Sequence, residues 1–341
     1  MSAKPSVVVL GYGAEEQLEA CLASVVEQLP TDGECVLVDN GILHGAERRA
    51  AWGERVTVVG DGSDNTGFAG GCNVGAEHAR GDVLVFLNSD AVLRPGALAP
   101  LAEAAGVPGS GVVCGCLRLA DQPDLVNSVG NPLQFLGLTW AGECGSPAVE
   151  HLRRREVAVA TGGFFALSRD TWNALGGFDP TYFAYHEDTD LSVRAWLSGR
   201  RVEVLPEAVA DHYYEFSRNP LKMYLLERNR LVLVLTTYPS RLLRRVLPAL
   251  VLLEPAFLVM ALLQGWAPQK LKAWGWLASH AAYLRRRRAE VQSLAAGADP
   301  AARLAGLMVA AMDPPNVEHP PGMPVLNALL RAYWRLARPR A

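Results

Sequence analysis

Asp82-Val83-Leu84-Val85-Phe86-Leu87-Asn88-Ser89-Asp90 is the stretch on which the fold turns. Five consecutive apolar residues closed by three polar ones are too short for a core helix and lack polar–apolar alternation. They predict a strand covered on both faces, as in a parallel sheet. Toward the N-terminus similar runs recur at 7–10, ended by Gly11-Tyr12-Gly13, at 36–38 and at 56–59. Between them, residues 15–29 carry Leu18, Cys21, Leu22, Val25 and Val26 at helical spacing before Pro30 and Gly33 stop the pattern. Residues 68–80 form a helical stretch rich in small residues that ends at Gly81. Strand–helix–strand order with right-handed crossovers predicts an α/β, Rossmann-like, mostly parallel sheet flanked by helices.

At 341 residues, 50% hydrophobic and 20% charged, the chain can bury a large core, and disorder over most of its length is excluded. The formal charge of −3 hides a division. Residues 1–210 carry 14 basic and 27 acidic side chains, and residues 211–341 carry 18 and 8. The acidic part argues against a nucleic-acid partner, whereas the basic, apolar C-terminal third fits a polyanion or an anionic membrane face. Cys21, Cys35, Cys72, Cys114, Cys116 and Cys144 lack zinc-site spacing and are expected to be buried, reduced thiols. Met1 to Pro5 runs straight into a strand without the apolar core of a signal peptide, so the expected location is the cytoplasm.

From Leu221 onward the chain becomes helical and rich in Leu, Arg and Trp. Residues 246–267 hold one charge, Glu254, but are interrupted by Pro248 and Pro255, a borderline length for a bilayer span. Trp266, Lys270, Lys272, Trp274, Trp276 and Arg285 to Arg288 follow, as suits a helix at the interface of an anionic cytoplasmic leaflet. The expected organisation is a sheet domain over 1–220, a membrane-associating helical region over 221–292, attached to the surface more readily than spanning, and a partly helical tail over 293–341.

In an open α/β sheet, ligands bind beyond the carboxyl ends of the strands. Asp39-Asn40-Gly41 follows the second strand, where a carboxylate can accept hydrogen bonds from a nucleobase or ribose, or simply begin a turn. Asp64-Asn65-Thr66-Gly67-Phe68-Ala69-Gly70-Gly71-Cys72-Asn73-Val74-Gly75 follows the third. Its glycines permit close backbone approach, and the helix after it offers free N–H groups to a diphosphate. Asn88-Ser89-Asp90 ends the strongest strand, and a carboxylate there fits a divalent cation bridging to phosphate, or a turn toward Arg94-Pro95-Gly96. Further on, Gly176-Gly177-Phe178-Asp179 precedes Tyr182-Phe183-Ala184-Tyr185-His186-Glu187-Asp188-Thr189-Asp190. Acids in the first turn of a helix over 188–198 meet its dipole, but three of them beside four aromatics also suit a general base. Asp211-His212-Tyr213-Tyr214 offers a histidine in a polar, aromatic loop as a third metal or phosphate contact.

Taken in order over residues 6–235, these segments resemble a family-2 glycosyltransferase of the GT-A fold, of the bacterial rhamnosyltransferase-like kind. The residues that carry the resemblance are Asn65 to Asn73, Leu87-Asn88-Ser89-Asp90, Gly176-Gly177-Phe178-Asp179 with Tyr185-His186-Glu187-Asp188, and Glu227-Arg228-Asn229. The resemblance implies a donor site in which Asp39 holds the base, Asn65 and Gly67 line the ribose and diphosphate, and Tyr12, Asn73, Asn88, Ser89 and Arg228 complete the binding set. It implies a divalent cation, Mg²⁺ or Mn²⁺, on Asp90 and His212, and Asp188 as the base for inverting attack, with Glu187 beside it. Two positions depart from the family pattern: Gly11-Tyr12-Gly13 replaces Thr/Ser-Tyr-Asn, and Asn88 takes the first place of the D-x-D. The implied reaction moves a sugar from dTDP-rhamnose or a UDP-sugar to a glycan or polyprenyl-diphosphate-linked acceptor of the cell envelope, at the cytoplasmic face of the membrane. A nucleotidyltransferase would carry a basic glycine-rich loop after the first strand, where this chain has acidic Glu15 and Glu16. A catalytically silent GT-A domain serving as a glycan-binding scaffold is the other alternative.

Overall fold

The computed structural model describes residues 3–49, 52–213, 219–315 and 321–340. Tyr214, noted in the sequence, lies outside them. In chain order the elements are β1 (Pro5–Gly13), α1 (Leu18–Gln28), β2 (Glu34–Ile42), α2 (Gly45–Arg48), β3 (Val56–Val59), α3 (Gly67–His78), β4 (Val83–Asn88), β5 (Ala91–Leu93), α4 (Leu98–Gly106), β6 (Val112–Leu119), β7 (Gln122–Ser128) and β8 (Leu133–Gln134). They continue with β9 (Arg155–Glu156), β10 (Phe164–Ser168), α5 (Arg169–Leu175), α6 (Glu187–Leu197), β11 (Val202–His212), α7 (Pro220–Thr237), α8 (Ser240–Leu263), α9 (Ala267–Ser279), α10 (Ala281–Ser293), α11 (Pro300–Leu307), β12 (Met308–Val309) and α12 (Met323–Ala337). They fall into two compact units, one of residues 1–131, 141–195 and 200–215, the other of 132–140, 196–199 and 216–341.

The first unit is built on a sheet of order β3-β2-β1-β4-β10-β6-β11-β5, with β7 and β9 added beside β6 and β11. β3, β2, β1 and β4 are parallel, as the repeated apolar runs predict. The direction then alternates: β10 is antiparallel to both β4 and β6, and β11 runs parallel to β6 but antiparallel to β5. Small residues in α3 let it lie close on the sheet. A Cβ on Gly75 would stand 2.3 Å from Val8 Cγ1, and one on Gly71 would stand 1.8 Å from Leu10 Cδ1. Phe86 of β4 stacks on Phe165 of β10 and meets Trp172 of α5, with ring centroids 4.8 Å apart in both pairs. Phe178 packs against the same group, so the Phe of Gly176-Gly177-Phe178-Asp179 anchors that loop in the core. All six cysteines are buried thiols, and burial pushes those of Cys35 and Cys114 up to about 12.

The second unit is helical. α8 is continuous through Pro248 and Pro255, where the sequence predicts interruption. Residues 293–341 belong to this unit, not to a separate tail. β12 pairs with β8, and Trp334 of α12 stacks on Phe135 at 4.7 Å.

Candidate active site

The reversed half of the first unit's sheet builds the first cluster. β5 begins one residue after Asp90 and runs antiparallel to β11 with Ala91 opposite His212. The Tyr213 amide also donates to the Asp90 carbonyl (2.9 Å). This register brings His212 Nε2 to 3.1 Å from Asp90 Oδ1 across 122 residues of sequence. On its other side, His212 Nδ1 lies 2.9 Å from Asn127 Oδ1 of β7. With that oxygen accepting, the proton of a neutral ring sits on Nδ1, and Nε2 turns its lone pair toward the carboxylate. A cation held by both groups fits that arrangement, and so does a proton on Nε2 donated to the carboxylate.

The pair fits a divalent cation. Two ligands about 2.1 Å from an octahedral ion and at right angles are about 3.0 Å apart, close to the 3.1 Å seen here. An imidazole oriented by a polar partner through its other nitrogen is the usual ligand arrangement. The His212 side chain is 8% exposed and that of Asp90 40%, so the pair opens on the carboxylate side. No group of three or more His, Cys, Asp or Glu side chains that could hold a metal occurs among the described residues. A cation on this pair would need ligands from water or from a bound phosphate. Arg94 stiffens the surroundings, its Nε lying 3.0 Å from both oxygens of Asp211.

The ends of β1 and β2 carry the second cluster. β2 runs on to Ile42, so Asp39 and Asn40 lie inside a strand and are buried. Asp39 Oδ1 accepts from the Ile42 amide (3.0 Å). A Cβ on Gly45 would come within 2.8 Å of its Oδ2, and one on Gly62 within 3.0 Å of its Oδ1. Glycine thus lets the backbone close in on this carboxylate, whose Oδ2 also has Arg49 Nη2 at 3.6 Å, and the exposed Tyr12 ring lies over Gly41. Asn40 clamps the next loop. Its Nδ2 donates to Asn65 Oδ1 (3.0 Å), while its Oδ1 accepts from the Thr66 amide (3.0 Å). Asn65 Oδ1 also accepts from the Gly67 amide (2.9 Å). Gly67 has φ +72° and sits so close to Phe183 that a Cβ would be 2.4 Å from its carbonyl. Asn73 is used differently from the expectation: both ends of its amide bond the Phe178 main chain, so it holds the Gly176–Phe178 loop.

The third cluster opens α6. Phe183, Tyr185 and His186 all have φ between 64° and 69°, three non-glycine residues in the left-handed region within four positions. Such strain persists where surrounding contacts over-determine it, typically at functional sites. Beyond it the three acids take separate tasks. Asp190 is fully buried and paired with Arg194 (2.7 Å). Asp188 is partly exposed. Its Oδ2 accepts from the Gly162 amide (3.1 Å), and its Oδ1 from the Thr189 amide (2.6 Å) and hydroxyl (3.1 Å). Burial outweighs these bonds and raises its carboxyl above the ordinary range. Glu187 is 6% exposed, and its Oε2 has no hydrogen-bond partner among the described residues. Burial, then the charges of Asp188 and Asp190, push it well above the ordinary value. Two neighbouring carboxyls in unequal environments divide into an acid and a base. Glu187 thus lies beside Asp188 with its carboxyl shifted further up. The Asn88 amide donates to the Gly163 carbonyl (2.9 Å), so the Gly162-Gly163 main chain links β4 to Asp188.

Arg228 belongs to the second unit, on α7, where its guanidinium lies over the rings of Tyr224 and Trp276. Two residues that the sequence did not single out join the site in the first unit. Asn127 carries no local signal, because only the β6–β7 hairpin brings it to His212. Glu15, at φ 44°, accepts from the Tyr12 amide (3.0 Å) and from the Ser89 side chain. Burial raises its carboxyl, and nearby Asp90 adds to the effect.

Residues 6–175 match glycosyl transferase family 2, and residues 148–219 match the N-terminal domain of galactosyltransferase. The chain belongs to glycosyl transferase family 2. Polypeptide N-acetylgalactosaminyltransferase 5 of Mus musculus is 26% identical over 171 residues, which cover 46% of this chain and 18% of the mouse protein. The crystal structure of GalNAc-T7 with UDP, GalNAc and Mn²⁺ superposes with a TM-score of 0.58 at 18% identity, over 70% of this chain and 49% of that one. S. aureus TarS 1–349 in complex with UDP gives 0.53 at 16% identity, over 98% and 89%. This family-2 chain thus has the GT-A fold, and it spans about a fifth of the mouse relative and about half of the GalNAc-T7 chain. The named relative is an N-acetylgalactosaminyltransferase, so the rhamnosyltransferase likeness finds no support in it.

Proposed function

We propose that this chain is an inverting, metal-dependent glycosyltransferase that moves a sugar from a nucleoside-diphosphate donor to an acceptor hydroxyl. The observation that carries the reading is the Asp90–His212 pair, 3.1 Å apart at the end of β4 and oriented by Asn127. Asp90 and His212 would hold the cation, which when bound neutralises the diphosphate as it leaves. Asp39, packed against glycine backbone beside Tyr12, receives the nucleobase. The Asn65–Gly67 loop clamped by Asn40 meets ribose and diphosphate. Asp188 takes the proton of the acceptor hydroxyl as its oxygen attacks the anomeric carbon from the face opposite the departing nucleotide, and the anomeric configuration inverts. The higher carboxyl of Glu187 supports Asp188 as the proton acceptor at this helix end.

The UDP complexes among the structural neighbours favour a UDP-sugar over dTDP-rhamnose. The basic C-terminal third and the exposed apolar face of α8 support an acceptor at an anionic membrane surface, such as a lipid-linked glycan precursor on the cytoplasmic leaflet. Calorimetry of the full chain with UDP, with and without Mn²⁺, tests the reading. Metal-dependent UDP binding that Asp90→Ala abolishes is the expected result. Folded protein that binds no nucleoside diphosphate in Mn²⁺ would leave a silent scaffold domain as the better account.

A further inference from the structure

We propose that α8 docks in the plane of an anionic bilayer through one face and does not cross it. This refines the membrane reading above and rests on it. Val251, Leu252, Val259, Leu262 and Leu263 are 55–84% exposed. At about 100° per residue they fall in one sector about 120° wide and run for about 18 Å along the helix. Arg241, Arg244 and Arg245, all exposed, fall in the same sector at its N-terminal end. Pro248 and Pro255 lie there too, so the hydrogen bonds they remove are on the outward side.

The inward side is fixed by charge. Glu254 projects about 120° from the middle of the exposed sector. It pairs with Arg230 of α7, with Lys270 of α9 (3.0 Å) and with the Trp274 indole (2.8 Å). Glu227 closes the group with Arg230 (3.0 Å) and Lys270 (2.6 Å). Burial alone would raise the Glu227 carboxyl, but the two cations bring it down to about 2. Among the described residues α8 is the one helix long and apolar enough to cross a membrane, and α7 and α9, tied to it through Glu254, are not. A crossing α8 would leave Arg230 and Lys270 buried with one carboxylate too few.

Charge also selects the occupant. The exposed sector of α8 carries Arg241, Arg244 and Arg245 and no acid, with Arg241 paired to Asp299. A second copy of this face would meet it with like charge. Anionic headgroups suit the flanking arginines, with the aliphatic stripe in the acyl boundary.

The full chain, without detergent, is floated with vesicles of 7:3 phosphatidylcholine:phosphatidylglycerol and of phosphatidylcholine alone. Binding at least tenfold stronger to the anionic vesicles, weakened tenfold or more by Val259→Glu at unchanged Tm, is expected. Because the native cysteines are buried, bimane on Leu252→Cys and on Leu263→Cys reports the depth of each turn by quenching with brominated lipids. In-plane docking places both probes at one shallow depth, whereas a span separates them by about 16 Å. Unequal depths overturn the in-plane mode, equal affinity for both vesicles overturns the anionic lipid, and wild-type binding by Val259→Glu overturns the face. An absence of vesicle binding in protein that still transfers sugar to a soluble acceptor would overturn the membrane reading itself and leave the glycosyltransferase reading standing.

Discussion

Replacing Asp188 with Asn tests the base and the geometry around it together. The carboxylate receives three hydrogen bonds on two oxygens, from the Thr189 amide, the Thr189 hydroxyl and the Gly162 amide. An asparagine has one acceptor oxygen, so either orientation of its amide turns an NH₂ toward a backbone N–H. Losing one bond to a charged acceptor and leaving a donor unpaired costs about 1–3 kcal/mol for each effect. Part is offset because a neutral amide is easier to bury than the carboxylate, whose raised pKa records that burial. A net loss of about 2 kcal/mol is expected, a fall in Tm of about 4–8 °C for a unit of this size. Removing the proton acceptor should lower kcat about 10²–10⁴-fold. The bonds of Asp188 go to Gly162 and Thr189, not to Asp39 or the Asp90–His212 pair. The Kd for UDP in Mn²⁺ should therefore change less than about threefold, under ~0.7 kcal/mol. In the wild type, activity should rise with pH through the raised pKa of Asp188, because the ionised form is the working one. Melting curves, calorimetry and a coupled nucleotide-release assay measure all of this. A folded variant that turns over within tenfold of wild type, or whose Kd weakens in step with kcat, would refute the base assignment.

Glu187→Gln removes a carboxyl whose pKa is raised by burial in the folded state. Its contribution to stability is fully present below the ordinary value of 4.5 and is lost as pH rises toward the folded value, so the Gln variant should gain in Tm relative to wild type from pH 5 to pH 8. Parallel Tm curves for the two proteins would contradict this. Glu254→Gln leaves Arg230 and Lys270 sharing Glu227, and denaturant unfolding should record a loss of about 3–5 kcal/mol. Adding Lys270→Met should restore a large part of it, and no recovery would show that the charges do not act as a group. Gly75→Ala sets a Cβ against the stiff side chains of Val8 and Val38 and should cost about 1–3 kcal/mol despite better helix propensity. Gly275→Ala, on α9 with nothing within 4 Å of the added carbon, should stabilise by about 0.5–1 kcal/mol, and thermal melts showing the same sign for both would overturn the packing argument.

The parallel half of the sheet was legible because strands buried on both faces leave unbroken apolar runs, and 83–87 is the clearest. Strand direction leaves no such trace. Phe164 to Ser168 reads equally well either way, and the antiparallel placement of β10 emerges only from its partners. β11 runs on past Pro206, where the apolar pattern stops at 205, because the proline falls in a register shift between Val204 and Val209. Asp39-Asn40-Gly41 has turn composition, yet the backbone stays extended to Ile42, which pairs with Gly13 beyond an irregularity in β1. Along α8 the prolines suggested breaks, but they stand on the exposed side, where a missing bond is least costly. Carboxylates at strand ends were readable one at a time. The amides that orient them were not, since Asn127 and Asn40 act across 85 and 25 residues on His212 and Asn65.

The division of labour within the sheet follows from that register. Asp90 alone is a carboxylate at the end of a strand. In the proposed reading it supplies half of a cation site, because β5 starts at the next residue and returns along β11 over three facing pairs, Ala91–His212, Val92–Asp211 and Leu93–Ala210. Three pairs are a weak register on their own, and a slip of one residue would turn His212 to the opposite face of the sheet. The two-oxygen contact of Arg94 with Asp211 and the Tyr213 amide bond to Asp90 close that short ladder at both ends. A buried histidine facing a half-exposed carboxylate at 3.1 Å, with its other nitrogen already engaged, contributes nothing obvious to packing. The local structure holds ring and carboxylate at a spacing that suits a cation bridging to a nucleoside diphosphate, at the carboxyl edge where such ligands bind.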